Sequence, residues 1–262
     1  MKKEMNILER IVVDKKREVL AKKKAMPVQD LRAHGLFKRK TRSMRAHLTD
    51  GSGIIAEYKR RSPSRQVINQ KSSVQDVVQG YHKAGVSACS ILTDSKYFGG
   101  SLDDFVQARA VTELPLLRKD FMLDPYQIEE SKAYGADVVL LIAAILTKEE
   151  IYSLGQLAKV LGMEVLLEVH NRQELEKSPL DFVDMVGVNN RNLKTFEVDL
   201  GTSEDLAALI PNEKLKVSES GISSLEAIVR LKEHGYQGFL VGENFMKTED
   251  PAAAAETFIK AL

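Results

Sequence analysis

The chain has 262 residues, of which 44% are hydrophobic and 29% are charged, and its formal net charge is +1. This composition suits a globular protein with a sizeable core, and α/β barrels commonly reach ~250 residues as one domain. The single cysteine, Cys89, excludes an internal disulfide, and no Cys/His spacing resembles a metal site. Because there is no secretory signal and no long apolar run, we expect a cytoplasmic protein that does not bind membranes.

The first fifty residues carry an excess of positive charge. Residues 1–50 contain 15 Lys and Arg against 6 Asp and Glu, or +9, which leaves −8 for the remainder. A basic arm can bind nucleic acid, but this one has few aromatic residues and no recognisable reading module. We therefore expect a solvated helix face and no specific nucleic-acid partner.

The N-terminal region is predicted to be a helical extension that packs on the main fold. Between Asn6 and Lys24, lysines and arginines occupy one side of a helical pattern. The other side is apolar and comprises Ile7, Leu8, Ile11, Val12, Val19 and Leu20. A second short helix is expected near Pro27, followed by a basic connector from Phe37 to Arg45.

After Gly53 the sequence alternates between apolar, β-rich runs and helical patterns. The predicted strands are Gly53–Tyr58, Ala88–Thr93, Leu114–Arg118, Asp137–Ile145, Glu164–Val169, Met185–Asn189, Leu215–Ser218 and Gly238–Val241. The helical patterns between them include Val74–His82, Leu102–Thr112, Pro125–Tyr134, Lys148–Leu161, Ser203–Leu209 and Ser224–His234.

Eight strand–helix units predict parallel βαβ connections and an α/β fold, a closed (β/α)8 TIM barrel. We expect one domain over residues 1–262, with residues 1–50 as its helical extension. A doubly wound open sheet is the alternative, but no G-x-G-x-x-G follows the first strand.

The stretch from Ile54 to Ser64 changes abruptly from an apolar strand to charged residues. Residues two apart in a strand share a face, so Glu57 and Lys59 are predicted to project together from the strand end. A carboxylate beside an ammonium can serve general acid–base catalysis, although a lone pair of this kind is usually an incidental surface contact. The functional interpretation gains support because later strands end in the same way.

Charged and polar residues, together with one glycine, recur at the carboxyl ends of the predicted strands, where barrel enzymes carry their catalytic side chains. These residues are Glu57, Lys59, Asp94, Lys119, Glu168, Asn189, Arg191, Glu219, Ser220, Gly242 and Glu243. Carboxylates and lysines that converge in a half-buried mouth shift one another's pKa values, as acid–base chemistry requires.

The last two strands end in glycine-containing turns that lead towards helices. Ser218–Ile222 reads S-E-S-G-I and Val241–Asn244 reads V-G-E-N. Glycine lets backbone N–H groups approach a ligand, and a helix N-terminus favours an anion. Since barrels commonly bind phosphate after strands 7 and 8, these turns predict a phosphate site.

Several of these motifs together resemble one enzyme family. A-E-Y-K-R-R-S-P-S, L-L-R-K-D-F, L-L-E-V-H, V-G-V-N-N-R-N-L, S-E-S-G-I and F-L-V-G-E, in this order and spacing, resemble indole-3-glycerol phosphate synthase. The likeness spans residues 53–245 and implies a phosphosugar substrate, 1-(2-carboxyphenylamino)-1-deoxyribulose 5-phosphate. It also implies that no metal or organic cofactor is needed, because the substrate's ketone is the electron sink. We expect a monomer, with a dimer as the alternative.

The resemblance also implies roles for individual residues. Lys119 matches the family lysine that protonates the ketone oxygen, and Glu168 matches its acid–base partner. Glu57 and Lys59 are then the base and the acid of the dehydration, although a swapped assignment of the lysines fits equally well. Asn189 and Glu219 match residues that hold the sugar hydroxyls and the reacting centre, and Arg191 and Ser220 match residues that line the pocket. Ser62 and Lys59 are expected to border the anionic groups, and backbone N–H groups are expected to bind the phosphate (Gly221, Gly242, Glu243).

The sequence departs from the family pattern in the first loop. The family usually reads S-P-S-K-G with a small residue before the first serine, whereas here Arg61 precedes Ser62 and Arg65-Gln66 replace Lys-Gly. Loss of that glycine predicts a stiffer loop. The basic run from Lys38 to Arg45 is also heavier than the family pattern.

Two rival functions are compatible with a phosphate-binding barrel. A phosphoribosylanthranilate isomerase would need a Cys/Asp acid–base pair, but Cys89 lies within the predicted second strand. A catalytically silent phosphate-binding or basic-arm interaction protein would not need Glu57, Lys59, Lys119 and Glu168 together.

Overall fold

The computed structural model describes residues 5–193 and 195–262, and within them eight parallel strands close into a barrel. Each strand pairs with the next along the chain, and the first also pairs with the last. The strands are β1 (Ile54–Tyr58), β2 (Ala88–Leu92), β3 (Leu116–Lys119), β4 (Val138–Ile142), β5 (Glu164–Val169), β6 (Met185–Asn189), β7 (Leu215–Glu219) and β8 (Tyr236–Val241). The prediction of a (β/α)8 barrel is confirmed.

Helices precede the barrel and connect its strands. The extension contains α1 (Ile7–Ala25), α2 (Val28–Ala33) and α3 (Met44–Asp50). The connecting and closing helices are α4 (Val74–Ala84), α5 (Ser95–Phe98), α6 (Leu102–Val111), α7 (Pro125–Ala133), α8 (Lys148–Val160), α9 (Arg172–Lys177), α10 (Gly201–Ala207), α11 (Leu225–Glu233), α12 (Glu243–Met246) and α13 (Pro251–Lys260).

Side chains alternate between two apolar layers along each strand. In β1, Ile54 and Ala56 pack in the outer layer between sheet and helices, whereas Ile55 packs in the barrel interior. The period of two then places Glu57 on the same inner face as Ile55. The same alternation places Lys119 two positions beyond interior Leu117. This register brings acid–base groups from different strands to one height at the mouth.

Three short helices, α3, α5 and α12, were not predicted, and only β5 and β6 have the predicted bounds. β1, β2 and β7 differ by one residue at one end, and β8 begins at Tyr236 instead of Gly238. β3 begins at Leu116 instead of Leu114, and β4 ends at Ile142 instead of Ile145. Beyond β4 the backbone turns, since the Ile145 N–H donates to the Ile142 carbonyl at 3.2 Å. The residues of that turn are apolar, and for this reason the sequence pattern predicted that the strand continues through them.

The extension runs from the mouth of the barrel to its opposite end. Ile11 and its neighbours on α1 pack at the mouth, whereas Met44 and Leu48 of α3 join the interior cluster at the N-terminal ends of the strands. Two details of the predicted α1 face were wrong. Leu20 is 57% exposed, and Lys15, assigned to the solvated face, is only 1% exposed.

Lys15 is buried because α1 places it between acidic groups. Its Nζ lies 2.9 Å from carboxylate oxygens of both Asp94 and Asp120, and 2.8 Å from Glu18. Burial disfavours the ammonium, but these carboxylates outweigh it and raise the pKa of Lys15. A helical pattern alone cannot reveal Asp94 and Asp120 as partners, since they follow β2 and β3.

Within the described residues, no helix has the length and apolar character needed to cross a bilayer. In the same residues, no cluster of three or more His, Cys, Asp and Glu side chains is arranged to hold a metal ion.

Candidate active site

A cavity of about 330 Å³ opens at the carboxyl ends of the strands. All twelve residues predicted for the site line it: Glu57, Lys59, Ser62, Lys119, Glu168, Asn189, Arg191, Glu219, Ser220, Gly221, Gly242 and Glu243. The structure therefore brings together side chains that are up to 186 positions apart in the chain. Asp94 is an exception among the strand-end residues, because it binds Lys15 and caps α5, with the Tyr97 N–H donating to it at 2.7 Å.

Glu57 and Lys59 form an ion pair at the end of β1. Lys59 Nζ donates to Glu57 Oε1 at 2.8 Å, and the Ser90 hydroxyl of β2 donates to Glu57 Oε2 at 3.1 Å. The Glu57 side chain is buried, and Lys59 is partly exposed towards the cavity. Each oxygen of the Glu57 carboxylate thus accepts a hydrogen bond, which fixes the position at which this group can accept or release a proton.

Lys119 joins two further carboxylates across the barrel mouth. Its Nζ donates to Glu168 Oε2 at 3.0 Å and to Glu219 Oε2 at 2.5 Å. Asn189 donates to the other Glu168 oxygen at 3.3 Å. Glu219 Oε1, by contrast, is buried and has no hydrogen-bond partner in the part of the chain that the structure describes.

These contacts separate the protonation behaviour of the two glutamates. Burial raises the pKa of Glu219 to about 7, because Lys119 compensates only in part and the Glu168 charge adds to the effect. Burial also opposes the charge of Glu168, but the Lys119 and His170 cations outweigh it and lower the pKa of Glu168. Burial disfavours the ammonium of Lys119, yet Glu168 and Glu219 raise its pKa above the ordinary value. Lys119 is therefore a charged proton donor between one ionised and one titrating carboxyl group.

The glycine turns after β7 and β8 lie at the same side of the cavity. Ser220 and Gly221 both have left-handed backbone conformations, with φ of 66° and 79°. Gly242 immediately precedes α12, and its amide approaches Glu57 so closely that an added Cβ would lie 2.8 Å from Glu57 Oε1. The absence of a side chain at position 242 thus leaves room for the Glu57 carboxylate.

Two loops border the cavity. Ser62 forms a tight turn with Arg65, whose guanidinium donates to Glu243 Oε1 at 2.7 Å. Arg191 follows β6 and donates to the Phe196 carbonyl at 3.1 Å. Arg65, which stands where the family pattern has lysine, therefore forms an ion pair between the first loop and the turn after β8.

Sequence reasoning missed the apolar wall of the cavity. The wall comes from the extension and from strand ends, and it includes Ile7, Leu8, Ile11, Phe98, Phe121, Leu140, Ile142 and Phe196. Ile7, Leu8 and Ile11 were predicted to lie on the apolar face of a helix, but the helical period does not show which surface that face contacts. Such an apolar wall, next to the charged groups of Lys119, Glu168 and Glu219, is suited to bind an aromatic group of a ligand.

Comparisons with known proteins agree on one family. The family model for indole-3-glycerol phosphate synthase matches residues 8–258. An indole-3-glycerol phosphate synthase of Bacteroides thetaiotaomicron is 46% identical over 258 residues, which cover 98% of this chain and 99% of the relative. One from Verminephrobacter eiseniae is 44% identical over 264 residues, covering 95% of this chain and 97% of the relative.

A solved structure supports the fold alone. The protein described as "Native KDPGal structure" is 16% identical and aligns with a TM-score of 0.56, covering 79% of this chain and 91% of its own. By contrast, the sequence similarity to the synthases extends over the full chain and includes the extension and all eight strands. This chain belongs to the indole-3-glycerol phosphate synthase family.

Proposed function

We propose that this protein closes the indole ring of 1-(2-carboxyphenylamino)-1-deoxyribulose 5-phosphate, releasing CO2, water and indole-3-glycerol phosphate. The observation that carries the proposal is the Lys119 ammonium between Glu168 and Glu219, beside a separate Glu57–Lys59 pair in one cavity. Two lysine–carboxylate units match a reaction that needs a proton transfer at ring closure and another at dehydration.

In the ring-closing step, the aryl carbon that bears the carboxylate attacks the C2 carbonyl of the sugar. Lys119 donates a proton to the ketone oxygen, which becomes a hydroxyl group, while Glu168 and Glu219 hold the ammonium in place. The bond to the carboxylate then breaks, its electron pair returns to the ring and CO2 leaves. Aromaticity is restored without an external electron sink.

In the dehydration step, the C2 hydroxyl leaves as water. Lys59 donates the proton to this leaving group, and Glu57 accepts a proton from C1 as the double bond of the indole forms. The Ser90 hydroxyl, at 3.1 Å from Glu57, holds the base in place. Exchange of the two lysine roles remains compatible with these positions and is the alternative assignment.

The rest of the cavity accounts for substrate binding in this proposal. The apolar wall accepts the aromatic ring, and Asn189 and Glu219 hold the sugar hydroxyl groups and the reacting centre. Arg191 and Ser220 line the pocket, and Ser62 borders the anionic groups. Backbone N–H groups take the phosphate, and they belong to Gly221, Gly242 and Glu243. Arginine 65, already paired with Glu243, lies next to this phosphate end.

The test is a turnover assay with the purified protein and the carboxyphenylamino-deoxyribulose phosphate. We expect indole fluorescence and CO2 to appear in equal amounts, and turnover to persist in the presence of a chelator. Phosphoribosylanthranilate serves as the comparison substrate for the isomerase alternative. Absence of both products from the first substrate would contradict the proposed function.

A further inference from the structure

His170 lies two positions beyond Glu168, and its imidazole ring sits between two carboxylates. The ring Nδ1 is 3.1 Å from Glu174 Oε2, and the ring Nε2 is 3.4 Å from Glu168 Oε1. The Nδ1 contact is a hydrogen bond, and because an ionised carboxylate donates none, Nδ1 has to carry the proton. The Nε2 contact lacks hydrogen-bond geometry and is a charge contact, in which a protonated Nε2 is favoured because an unprotonated one would turn its lone pair towards the Glu168 carboxylate. This position therefore suits a doubly protonated imidazolium.

The turn between β5 and α9 holds Glu174 in place for this contact. Glu174 Oε2 accepts from the His170 backbone N–H at 2.8 Å, and Glu174 Oε1 accepts from the Asn171 amide at 2.9 Å. Asn171 is also the N-cap of α9, since its side chain accepts from the Glu174 N–H at 2.9 Å. Both oxygens of Glu174 are occupied, so the ring is anchored on the side facing away from the cavity.

The surroundings of the ring favour its charged form. The His170 side chain is 10% exposed, and its Nε2 is buried with no conventional hydrogen-bond partner among residues 5–193 and 195–262. Burial favours the neutral ring, but the hydrogen bond to Glu174 and the Glu168 charge outweigh it and raise the pKa of His170. Glu219 on β7 adds to this effect from across the mouth.

We propose that His170 is a positioning residue, which holds Glu168 through the charge contact of its imidazolium and keeps this carboxylate ionised beside Lys119. Glu174, His170, Glu168, Lys119 and Glu219 then form a chain of alternating charges from the back of the turn into the cavity. Without the imidazolium, the single Lys119 cation has to neutralise both of its carboxylates. The role of Glu168 in catalysis rests on the proposed function, whereas the charge contact with His170 does not.

An activity-independent test is the titration of His170 followed by NMR of its ring resonances. We expect a pKa above the ordinary value in the wild-type protein and a lower one in Glu168→Gln, because the facing charge is lost. Glu174→Gln should lower the pKa as well, since it removes the other charge. An unchanged His170 pKa in folded Glu168→Gln would overturn the inference, even if the protein had no synthase activity.

Kinetic measurements test the positioning role. His170→Leu should lower kcat by about 10-fold or more with KM nearly unchanged, since small misplacements of a reacting group cost rate rather than affinity. His170→Gln should show a similar loss, because its amide carries no positive charge. Exposed His34→Leu is the matched control and should retain wild-type kinetics.

The variants also keep the two proposals separable. If His170→Leu does not fold, Glu174→Gln should still lower kcat, because the ring loses its anchor. Wild-type kcat in both folded variants would overturn the positioning role. A wild-type protein that does not convert the substrate would instead contradict the proposed function. The NMR titration would still test whether the charges of His170 and Glu168 interact.

Discussion

Lys119 is the residue on which the charges at the barrel mouth converge. One ammonium group contacts two buried carboxylates, and these carboxylates keep it protonated despite its burial. An acid that is charged at neutral pH and faces the cavity is what protonation of a ketone oxygen requires.

Replacement of Lys119 by Met should therefore lower kcat by at least ~10²-fold, the low end for general acid–base catalysis. Substrate affinity should stay nearly intact, because the phosphate and the aromatic ring bind elsewhere in the cavity. Steady-state kinetics on Lys119→Met provide the measurement, with exposed Lys148→Met as the matched control. Near-normal turnover would remove Lys119 from the acid role.

The buried charge of Glu219 lowers the free energy of unfolding at neutral and alkaline pH. Its pKa rises from 4.5 to about 7 on folding, so the folded state binds a proton that the unfolded state has already released. The stability linked to this proton is fully present below pH 4.5 and is lost as the pH rises through 7.

Glu219→Gln removes this titration and should raise the free energy of unfolding at pH 8. A pKa difference of this size corresponds to about 3 kcal/mol as an upper value, because Lys119 loses one of its partners in the variant. Urea denaturation at pH 8 and at pH 4 measures the effect, and the gain should disappear at the lower pH. A variant less stable than wild type at pH 8 would show that the Lys119 contact outweighs the burial of the charge.

At the scale of elements, the junction of β8 and α12 lies against Glu57 and is proposed to bind phosphate as well. An added Cβ at Gly242 would lie 2.8 Å from Glu57 Oε1 and 3.1 Å from Glu57 Cβ. The same backbone is proposed to donate to the substrate phosphate. A side chain here should therefore disturb both the proposed base and the anion site.

We expect Gly242→Ala to weaken the binding of inorganic phosphate and also to lower kcat. Loss of a charge-assisted hydrogen bond costs about 1.5–3 kcal/mol, or more than ~10-fold in affinity. Calorimetric titration with phosphate is the measurement, and Lys119→Met should bind phosphate normally. Gly35→Ala is the control, because nothing lies within 4 Å of an added Cβ there. Unchanged phosphate affinity in folded Gly242→Ala would disprove the proposed site.

At the scale of the whole molecule, the basic connector fastens the extension to the N-terminal end of the barrel. Buried Asp137, just before β4, accepts from the Arg39 guanidinium at 2.5 Å and from the Arg42 backbone N–H at 2.8 Å. Its other oxygen accepts from Arg109 and from the Leu116 N–H, both at 2.9 Å. We propose that residues 1–50 and the barrel form one domain, since this cluster belongs to both.

Asp137→Ala should then destabilise the entire protein by about 3 kcal/mol or more, because it leaves buried Arg109 without its counter-ion. Denaturant unfolding followed by circular dichroism should still show one transition, at a lower midpoint. Exposed Asp205→Ala is the control and should stay within about 0.5 kcal/mol of wild type. Two separate transitions in the wild-type protein would contradict the single-domain proposal.

Much of this molecule follows from local sequence patterns. Strand alternation places Glu57 and Lys59 at one strand end, and repetition of strand and helix places Lys119, Glu168 and Glu219 at the same height of a barrel. The predicted set of site residues meets in one cavity for that reason. Their individual roles stay predictions until the kinetic experiments are done.

Other features were decided only by contacts between distant segments. Lys15 looks like a solvated helix residue, yet Asp94 and Asp120 bury it, and the pKa of Glu219 depends on burial that no local pattern encodes. The apolar wall likewise depends on the packing of the N-terminal extension and of separate loops around the barrel mouth. Periodicity determines which face a residue occupies, whereas burial, charge and pKa are set by the groups that the closed barrel brings against that face.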